Sequence, residues 1–128
     1  MVIFDANMIL RYLLNDDQAM ADRAEAYLNA GTVSVPTEVI AEVVYVLKGV
    51  YAMRRDEIAE AVKGFLKLVS CQEPEVLNLA LDTYGERSLD FVDCVLYGYH
   101  AVNGAEIATF DKKLLKLLSA SSGRNEIL

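Results

Sequence analysis

The chain has 128 residues and a formal net charge of −7, with 54% hydrophobic and 24% charged residues. This composition excludes a disordered chain, and the length fits one domain spanning residues 1–128 with a core of its own. Proteins that simply coat nucleic acid present a basic surface to the phosphates, so the negative charge excludes that class. An acidic protein could still act on nucleic acid if its negative charge is concentrated where cations bind.

The sequence also predicts where the protein resides. No apolar run approaches the roughly 18 residues of a membrane-spanning helix, so no membrane association is expected. The amino-terminal segment lacks a basic start and carries Asp5 within its apolar run, which disfavours a signal peptide. Cys71 and Cys94 lack the spacing of metal ligands, and we expect two reduced thiols in a cytoplasmic protein.

The first half of the chain alternates predicted strands and helices. Residues 2–4 read as a short buried strand, followed by a helix over 6–15 with apolar residues at helical spacing. A second helix is expected from an N-cap at Asn15 or Asp16 to a stop at Gly31. Residues 32–36 alternate and form a predicted strand ended by proline. A helix over 37–49 follows, with Thr37 as its N-cap.

The second half continues the alternation. We predict a helix over 54–70, a very short strand near 71–72 and a helix over 74–85 that Pro74 begins. A helix over 88–104, a strand over 105–110 and a helix over 111–119 follow, and the tail is either a last strand or loose. Strands alternating with helices indicate an α/β sandwich with a mostly parallel sheet.

Two aspartates follow predicted strands. Asp5 comes directly after the first strand, and Asp111 comes directly after the strand over 105–110. Ligands of open parallel sheets bind beyond the carboxyl ends of the strands, so both side chains are expected in one crevice. Thr109 could place a hydroxyl group beside Asp111.

Two further carboxylates interrupt apolar helix surfaces. Glu42 and Asp93 are each surrounded by apolar neighbours, and Asp90 lies one turn before Asp93 on the same face. An unpaired charge there is costly, and the usual solution is a charged partner or a metal. Carboxylates crowded together attract hard divalent cations such as Mg²⁺ or Mn²⁺, which can activate water against a phosphodiester. The single histidine, His100, excludes a histidine-rich zinc site.

Each of these residues also has a purely structural interpretation. Asp5 and Asp111 could be ordinary helix N-caps, Glu42 could be solvated, and Asp93 could pair with a core arginine. Asn7 could orient a carboxylate or a metal-bound water. It is less expected that all four carboxylates have purely structural roles than that any single one does.

The basic and aromatic side chains are open to the same two interpretations. Arg11 could hold a phosphate or pair with an aspartate, or it could be a surface charge. Lys112 and Lys113 could meet an RNA backbone, although lysines that begin a helix are usually solvated. Tyr45 is favoured as a packing or interface residue over a base-stacking one.

Four segments together resemble one family. "VIFDANMILRYLL", Glu42, "LDFVDCVLYGYHA" and "IATFDKKL" are similar in order, spacing and context to the PIN domain family, most closely to VapC-type toxins of toxin–antitoxin pairs. The resemblance covers nearly the whole chain and implies a three-layer α/β/α sandwich with a mostly parallel four- or five-stranded sheet. It also implies a metal-dependent endoribonuclease, a homodimer and an antitoxin partner of the VapB type.

The resemblance assigns roles to individual residues. The family's acidic positions correspond to Asp5, Glu42, Asp93 and Asp111, and its asparagine corresponds to Asn7. In this interpretation the three aspartates hold one or two Mg²⁺ or Mn²⁺ ions, and Glu42 completes the site or orients the attacking water. The auxiliary residues are Asn7, Asp90, Thr109 and Arg11.

Two other functions remain open. A phosphatase using Asp5 as nucleophile would need a second aspartate at the position of Asn7, so this class is disfavoured. A PIN-like domain that binds RNA or protein without catalysis is the non-enzymatic alternative.

Overall fold

The computed structural model describes residues 1–127, and the side chains of residues 1–120. Within this part of the chain there are seven helices and two short strands. The strands are β1 (Val2–Ile3) and β2 (Val33–Ser34). The helices are α1 (Ala6–Leu14), α2 (Gln18–Ala30), α3 (Thr37–Gly49), α4 (Arg55–Leu66), α5 (Pro74–Glu86), α6 (Phe91–Asn103) and α7 (Lys112–Ile127).

The strands form a small parallel sheet. Val2 lies opposite Val33 and Ile3 opposite Ser34. Beyond β2 an isolated bridge joins Ser34 to Ser70, where the Ser70 amide donates to the carbonyl of Val33 at 2.9 Å. The chain therefore pairs at Ser70 and not at 71–72 as predicted. A four- or five-stranded sheet is not confirmed, because the described residues form two strands and one bridge.

The predicted strand over 105–110 does not form in the described structure. These residues alternate between half-buried and exposed positions, as a strand would, but they lie in no hydrogen-bonded ladder. Alternation records which side faces the core, whereas a strand also requires a partner backbone in register. The tail was expected to be either a last strand or loose, and for the described residues it is neither, since α7 continues past the predicted end at 119 to Ile127. Leu128 lies outside the described residues.

Several helix boundaries differ from the predicted ones. Asp17, and not Asn15 or Asp16, caps α2, since its carboxylate accepts from the Met20 amide at 3.0 Å. Asn15 instead ends α1 in the left-handed conformation. α3 begins at Thr37 after an N-cap at Pro36, which has no side chain able to cap it. α4 ends at Leu66 rather than at residue 70, which leaves Ser70 free to join β2.

The core is one apolar cluster to which every helix contributes. Ile9, Leu47, Ile58, Leu77 and Leu114 are among its fully buried residues. α5 and α6 pack closely because Gly98 of α6 lies against the backbone of Val76 in α5. This packing fixes the start of α6, which carries the acidic residues of the candidate site.

Two simpler expectations can be compared with the structure. Cys71 and Cys94 are both free, and burial raises the pKa of the Cys94 thiol to about 12. Among the described residues, no helix is both long enough and apolar enough to span a membrane.

Candidate active site

A cleft of about 400 Å³ lies between the start of α6 and the start of α7. We call it the acidic cleft, because three carboxylates line it: Asp90, Asp93 and Asp111. The other lining residues include an exposed aromatic ring and two lysines, which are Phe110, Lys112 and Lys113. The structure therefore brings two of the four predicted catalytic acids, and one auxiliary acid, to the same cleft.

Asp93 is the most electrostatically perturbed carboxylate of this cleft. It lies in the first turn of α6 and is half-buried, whereas Asp90 and Asp111 are exposed. Desolvation raises the pKa of Asp93, and the charges of Asp111 and Asp90 raise it further. Among the described residues Asp93 takes part in no ion pair. The alternative of a salt bridge to a core arginine is therefore wrong for this structure.

Asp111 is held in place as the N-cap of α7. One oxygen of its carboxylate accepts a hydrogen bond from the Leu114 amide at 2.8 Å. The Asp111 amide donates to the Thr109 hydroxyl at 3.0 Å, so Thr109 does lie beside Asp111 as predicted. A carboxylate has two oxygens that can accept bonds, so capping orients Asp111 without using all of its binding capacity.

Asp5 is also an N-cap. Its carboxylate accepts from the Met8 amide at 2.9 Å at the start of α1, and the side chain is exposed. Asp5 does not line the acidic cleft. The structural interpretation of Asp5 is confirmed as a capping contact, whereas its catalytic role stays a prediction.

Glu42 is exposed, and the expectation that it interrupts a buried surface is wrong. The buried face of α3 follows the helical spacing of four apolar residues: Ile40, Val43, Val44 and Leu47. Glu42 falls between those positions and therefore projects to the outer side of the helix. Its proposed role in orienting water stays a prediction, and Glu42 does not line the acidic cleft.

Asn7 and Arg11 line a different cleft, of about 280 Å³, next to α1 and α2. The Arg11 guanidinium forms two hydrogen bonds with Asp16, at 2.8 and 2.9 Å, and a third with the Tyr51 hydroxyl at 3.1 Å. Of its two functional alternatives, pairing with an aspartate is the one that the structure contains.

The residues of the acidic cleft have the donor atoms that a divalent cation prefers, but they do not form a complete set of metal ligands. Carboxylate oxygens are the donors that Mg²⁺ and Mn²⁺ prefer, and the like charges around Asp93 would be relieved by a cation. Among the described side chains, however, no three from His, Cys, Asp and Glu are close enough together to hold one metal ion. The acidic cleft is thus a partial site, with Asp93 and Asp111 as its central donors.

Sequence reasoning missed the residue that holds the wall of this cleft. Arg55 of α4 donates through Nε to the carbonyl of Tyr84 at 2.8 Å and through a terminal nitrogen to the carbonyl of Leu89. Its guanidinium also stacks on the Tyr84 ring, 3.7 Å from the ring centre. Leu89 directly precedes Asp90, so Arg55 fixes the segment that leads into α6. No sequence signal distinguishes Arg55 from its exposed neighbour Arg54.

Comparisons with known proteins identify the family. A family model described as "PIN domain" matches residues 2–118. The chain belongs to the PIN domain family. Comparisons with curated proteins and with solved structures gave no significant match. The PIN domain assignment implies an α/β fold, and PIN domains are generally nucleases that act on RNA.

Proposed function

We propose that this PIN domain is a metal-dependent endoribonuclease that hydrolyses phosphodiester bonds in RNA. The observation that carries the proposal is the acidic cleft, where three carboxylates meet; desolvation raises the pKa of Asp93 there, and the charges of Asp111 and Asp90 raise it further. Carboxylates held in mutual repulsion beside a cleft are typical of a site that binds cations. Membership of a family of nucleases supports the same reaction.

In this proposal Asp93 and Asp111 hold one or two Mg²⁺ or Mn²⁺ ions, with Asp90 as an auxiliary. Such an ion, when bound, polarises the phosphate and provides an activated water. Asp111 keeps its orientation through the bonds to Leu114 and Thr109. Asp5, at the start of α1, and Glu42, in α3, complete the proposed acidic set, although neither lines the acidic cleft.

The proposal extends to the biological setting. The sequence resemblance to VapC-type proteins supports a toxin with a VapB-type antitoxin partner, a homodimeric state and action in the cytoplasm. Tyr45, Val50 and Val92 are exposed large apolar side chains, of 80%, 72% and 58% exposure, and provide surface for such contacts. An adjacent gene encoding a small DNA-binding protein would support this setting.

The test measures metal binding before cleavage. Calorimetry with Mn²⁺ is expected to detect binding to the wild type and strongly reduced binding to Asp93→Asn. Glu25→Gln, an exposed carboxylate change on α2, is the matched control and should bind Mn²⁺ like the wild type. Cleavage mapping on total RNA should then give defined cuts that EDTA abolishes. Equal cleavage in excess EDTA would rule the proposal out.

The second candidate is a PIN domain that binds RNA or protein without catalysis. It is favoured by one observation, the absence of three grouped metal ligands among residues 1–120. The same calorimetry separates the two candidates. No Mn²⁺ binding, together with RNA binding that leaves the RNA intact, would select the non-catalytic function.

A further inference from the structure

The cleft next to α1 and α2 is not used by the proposed reaction, although two residues predicted for the site lie in it. Asn7 and Arg11 line one wall, and the facing wall comes from α2. Met20, Arg23 and Tyr27 are spaced i, i+3 and i+7 along α2, so they share the face that borders the cleft. We call this space, of about 280 Å³, the amino-terminal cleft.

The charged lining of the amino-terminal cleft is entirely basic. Its charged side chains are Arg11 and Arg23, and no carboxylate is among the described residues that line it. Asp16 already neutralises Arg11 through two hydrogen bonds to its guanidinium. Arg23 is exposed and takes part in none of the ion pairs described for residues 1–120. Arg23 is thus the uncompensated charge of the cleft, which suits a ligand with a single negative charge.

Large apolar side chains surround these two arginines. Ile3 is 61% exposed, Met20 47% and Tyr27 40%, and Met8 of α1 is half-buried beside them. The Tyr27 ring is held by an edge-to-face contact with Phe4, with 6.0 Å between the ring centres. Exposed apolar groups gathered at one cleft mark a place where the apolar surface of a ligand is buried. Methionine side chains adapt to ligands of irregular shape.

One donor in the wall of the cleft has no acceptor. Arg11 Nε is buried and meets no hydrogen-bond acceptor among the described residues, whereas the terminal nitrogens of the same guanidinium bind Asp16 and Tyr51. A buried donor without a partner costs free energy. Carboxylate oxygens are strong acceptors for guanidinium groups, so a carboxylate is the ligand group that this wall favours.

We propose that the amino-terminal cleft binds a small apolar monocarboxylate, that is, an acid with an aromatic or branched aliphatic body. In this arrangement Arg23 holds the carboxylate, and Met8, Met20 and Tyr27 enclose the apolar body. The single uncompensated charge favours a carboxylate over a phosphate monoester, which is nearly doubly charged at neutral pH. The volume of the cleft lies just below the range of drug-sized pockets, which fits a ligand of this size.

This site is separate from the acidic cleft, because no described residue lines both. The inference therefore goes beyond the proposed nuclease and does not depend on it.

The test measures binding of indole-3-propionate to the full chain by NMR titration. EDTA is present, so that no metal ion in the acidic cleft can bind the carboxylate. A ligand of this size is expected to bind with a Kd of roughly 1 mM. Its neutral analogue, indole-3-propionamide, should bind about 10-fold more weakly, because it cannot form a charge-assisted bond with Arg23. Amide signals should shift at residues 2–8 and 20–27, which border the cleft.

Arg23→Gln is the decisive variant, and its fold should be retained because Arg23 is exposed. In this variant the acid and the amide should bind equally, both at the weaker affinity. Arg87→Gln is the matched control, since it makes the same change at an exposed arginine of another cleft, and it should retain the preference for the acid. Tyr27→Ala should weaken the binding of acid and amide by the same factor, because both lose the same apolar contact.

Each other outcome overturns the inference. Equal binding of acid and amide to the wild type contradicts the role of the charge, and so does an unchanged preference in Arg23→Gln. Absence of shifts at concentrations well above the expected Kd, or shifts confined to residues 88–93 and 110–113, would show that the ligand does not occupy the amino-terminal cleft.

Three results would assign the cleft to a different occupant. Tighter binding of phenyl phosphate than of 3-phenylpropionate would make it a phosphate site. Tighter binding of an apolar peptide with both ends blocked would make it a protein-docking surface. If Tyr27→Ala changes the oligomeric state, the surface is an interface between copies of the chain.

Discussion

Asp93 and Asp111 line one acidic cleft from the starts of different helices, where desolvation raises the pKa of Asp93 and the charge of Asp111 raises it further. Asp93 lies in the first turn of α6, and Asp111 is the N-cap of α7. Both helix starts provide partial positive charge, but the burial of Asp93 and then the repulsion from Asp111 and Asp90 dominate its pKa. The metal-free fold therefore holds an ionised Asp93 at a cost in stability.

This cost predicts a pH-dependent effect of Asp93→Asn. The pKa of Asp93 is higher in the folded chain than in the unfolded chain, so its ionised form destabilises the fold at neutral pH. In metal-free buffer we expect Asp93→Asn to melt roughly 1–4 °C above the wild type at pH 7, in line with a change of a fraction to about 1 kcal/mol. The difference should shrink as the pH falls toward about 4, where the unfolded-state aspartate also becomes protonated.

Thermal melts across this pH range, with EDTA present, provide the measurement. Glu25→Gln on α2 removes a carboxylate that is exposed, unlike the half-buried Asp93, and should show no such pH-dependent gain. Saturating Mn²⁺ should reverse the order, because a bound cation stabilises only the variant that retains its ligand. A destabilised Asp93→Asn in metal-free buffer at pH 7 would contradict the assigned repulsion.

Two substitutions of Asp5 separate its capping role from its proposed catalytic role. Asparagine caps helices about as well as aspartate, so Asp5→Asn should retain the bond from the Met8 amide and lose only a few tenths of a kcal/mol. Asp5→Ala removes the cap and should cost about 0.5–2 kcal/mol. If Asp5 is a metal ligand, both variants should lose RNA cleavage although only one loses stability. Urea unfolding and RNA cleavage of both variants test this, and full activity in Asp5→Asn would restrict Asp5 to its capping role.

Most of the helices could be predicted because their signals are local. The segment over 37–49 has valines that favour a strand, but it is too long for a typical strand, and this length is visible in its own sequence. Boundaries were harder, since Asn15, Asp16 and Asp17 are all good N-caps in sequence. In the structure Asn15 ends α1 in the left-handed conformation, and the Asp17 carboxylate caps α2.

The sheet could not be predicted to the same extent, because strand pairing is not local. Residues 105–110 have the alternation of a strand, but that pattern does not specify a partner. The outward position of Phe110 follows from this same alternation.

The sequence predicted which types of residue form the candidate site better than it predicted their positions. Asp93 and Asp111 do line one cleft, although the strand predicted before Asp111 does not form. Glu42 was expected within an apolar surface because its sequence neighbours are apolar, but a helix turns neighbours in sequence to different sides. The contribution of Arg55 depends on two backbone carbonyls that lie about 30 residues away, which no local pattern reveals.

Gly98 is predicted to be essential for the contact between α5 and α6. A Cβ atom at this position would lie 2.9 Å from the carbonyl oxygen of Val76 and 3.0 Å from its Cγ1, so the helices would have to move apart. We expect Gly98→Ala to reduce the free energy of unfolding by about 1–3 kcal/mol. Urea unfolding provides the measurement.

Gly64→Ala is the matched control, since Gly64 is also helical and a Cβ there would meet nothing within 4 Å. This variant should gain up to about 1 kcal/mol, because alanine favours the helix over glycine. Equal stability changes of the same sign in the two variants would contradict the packing argument.

Arg55 is predicted to be a positioning residue for the acidic cleft. Arg55→Lys keeps the positive charge but cannot donate to the carbonyls of Tyr84 and Leu89 with the same planar fork. We expect a loss of about 1–3 kcal/mol in the free energy of unfolding, because a part-buried carbonyl would lose its donor. The segment before Asp90 should loosen, so Mn²⁺ affinity and kcat should fall while the KM for RNA changes little.

Arg54→Lys is the matched control on the same helix end, where the side chain is exposed and forms ion pairs with Asp56 and Glu57. This variant should change neither Mn²⁺ affinity nor kcat. The comparison distinguishes positioning from general stability, because a merely structural role of Arg55 would lower the melting temperature without changing Mn²⁺ affinity well below it. Hydrogen exchange at residues 87–91 should increase in Arg55→Lys alone, since only Arg55 ties this segment to α4 through the Leu89 carbonyl.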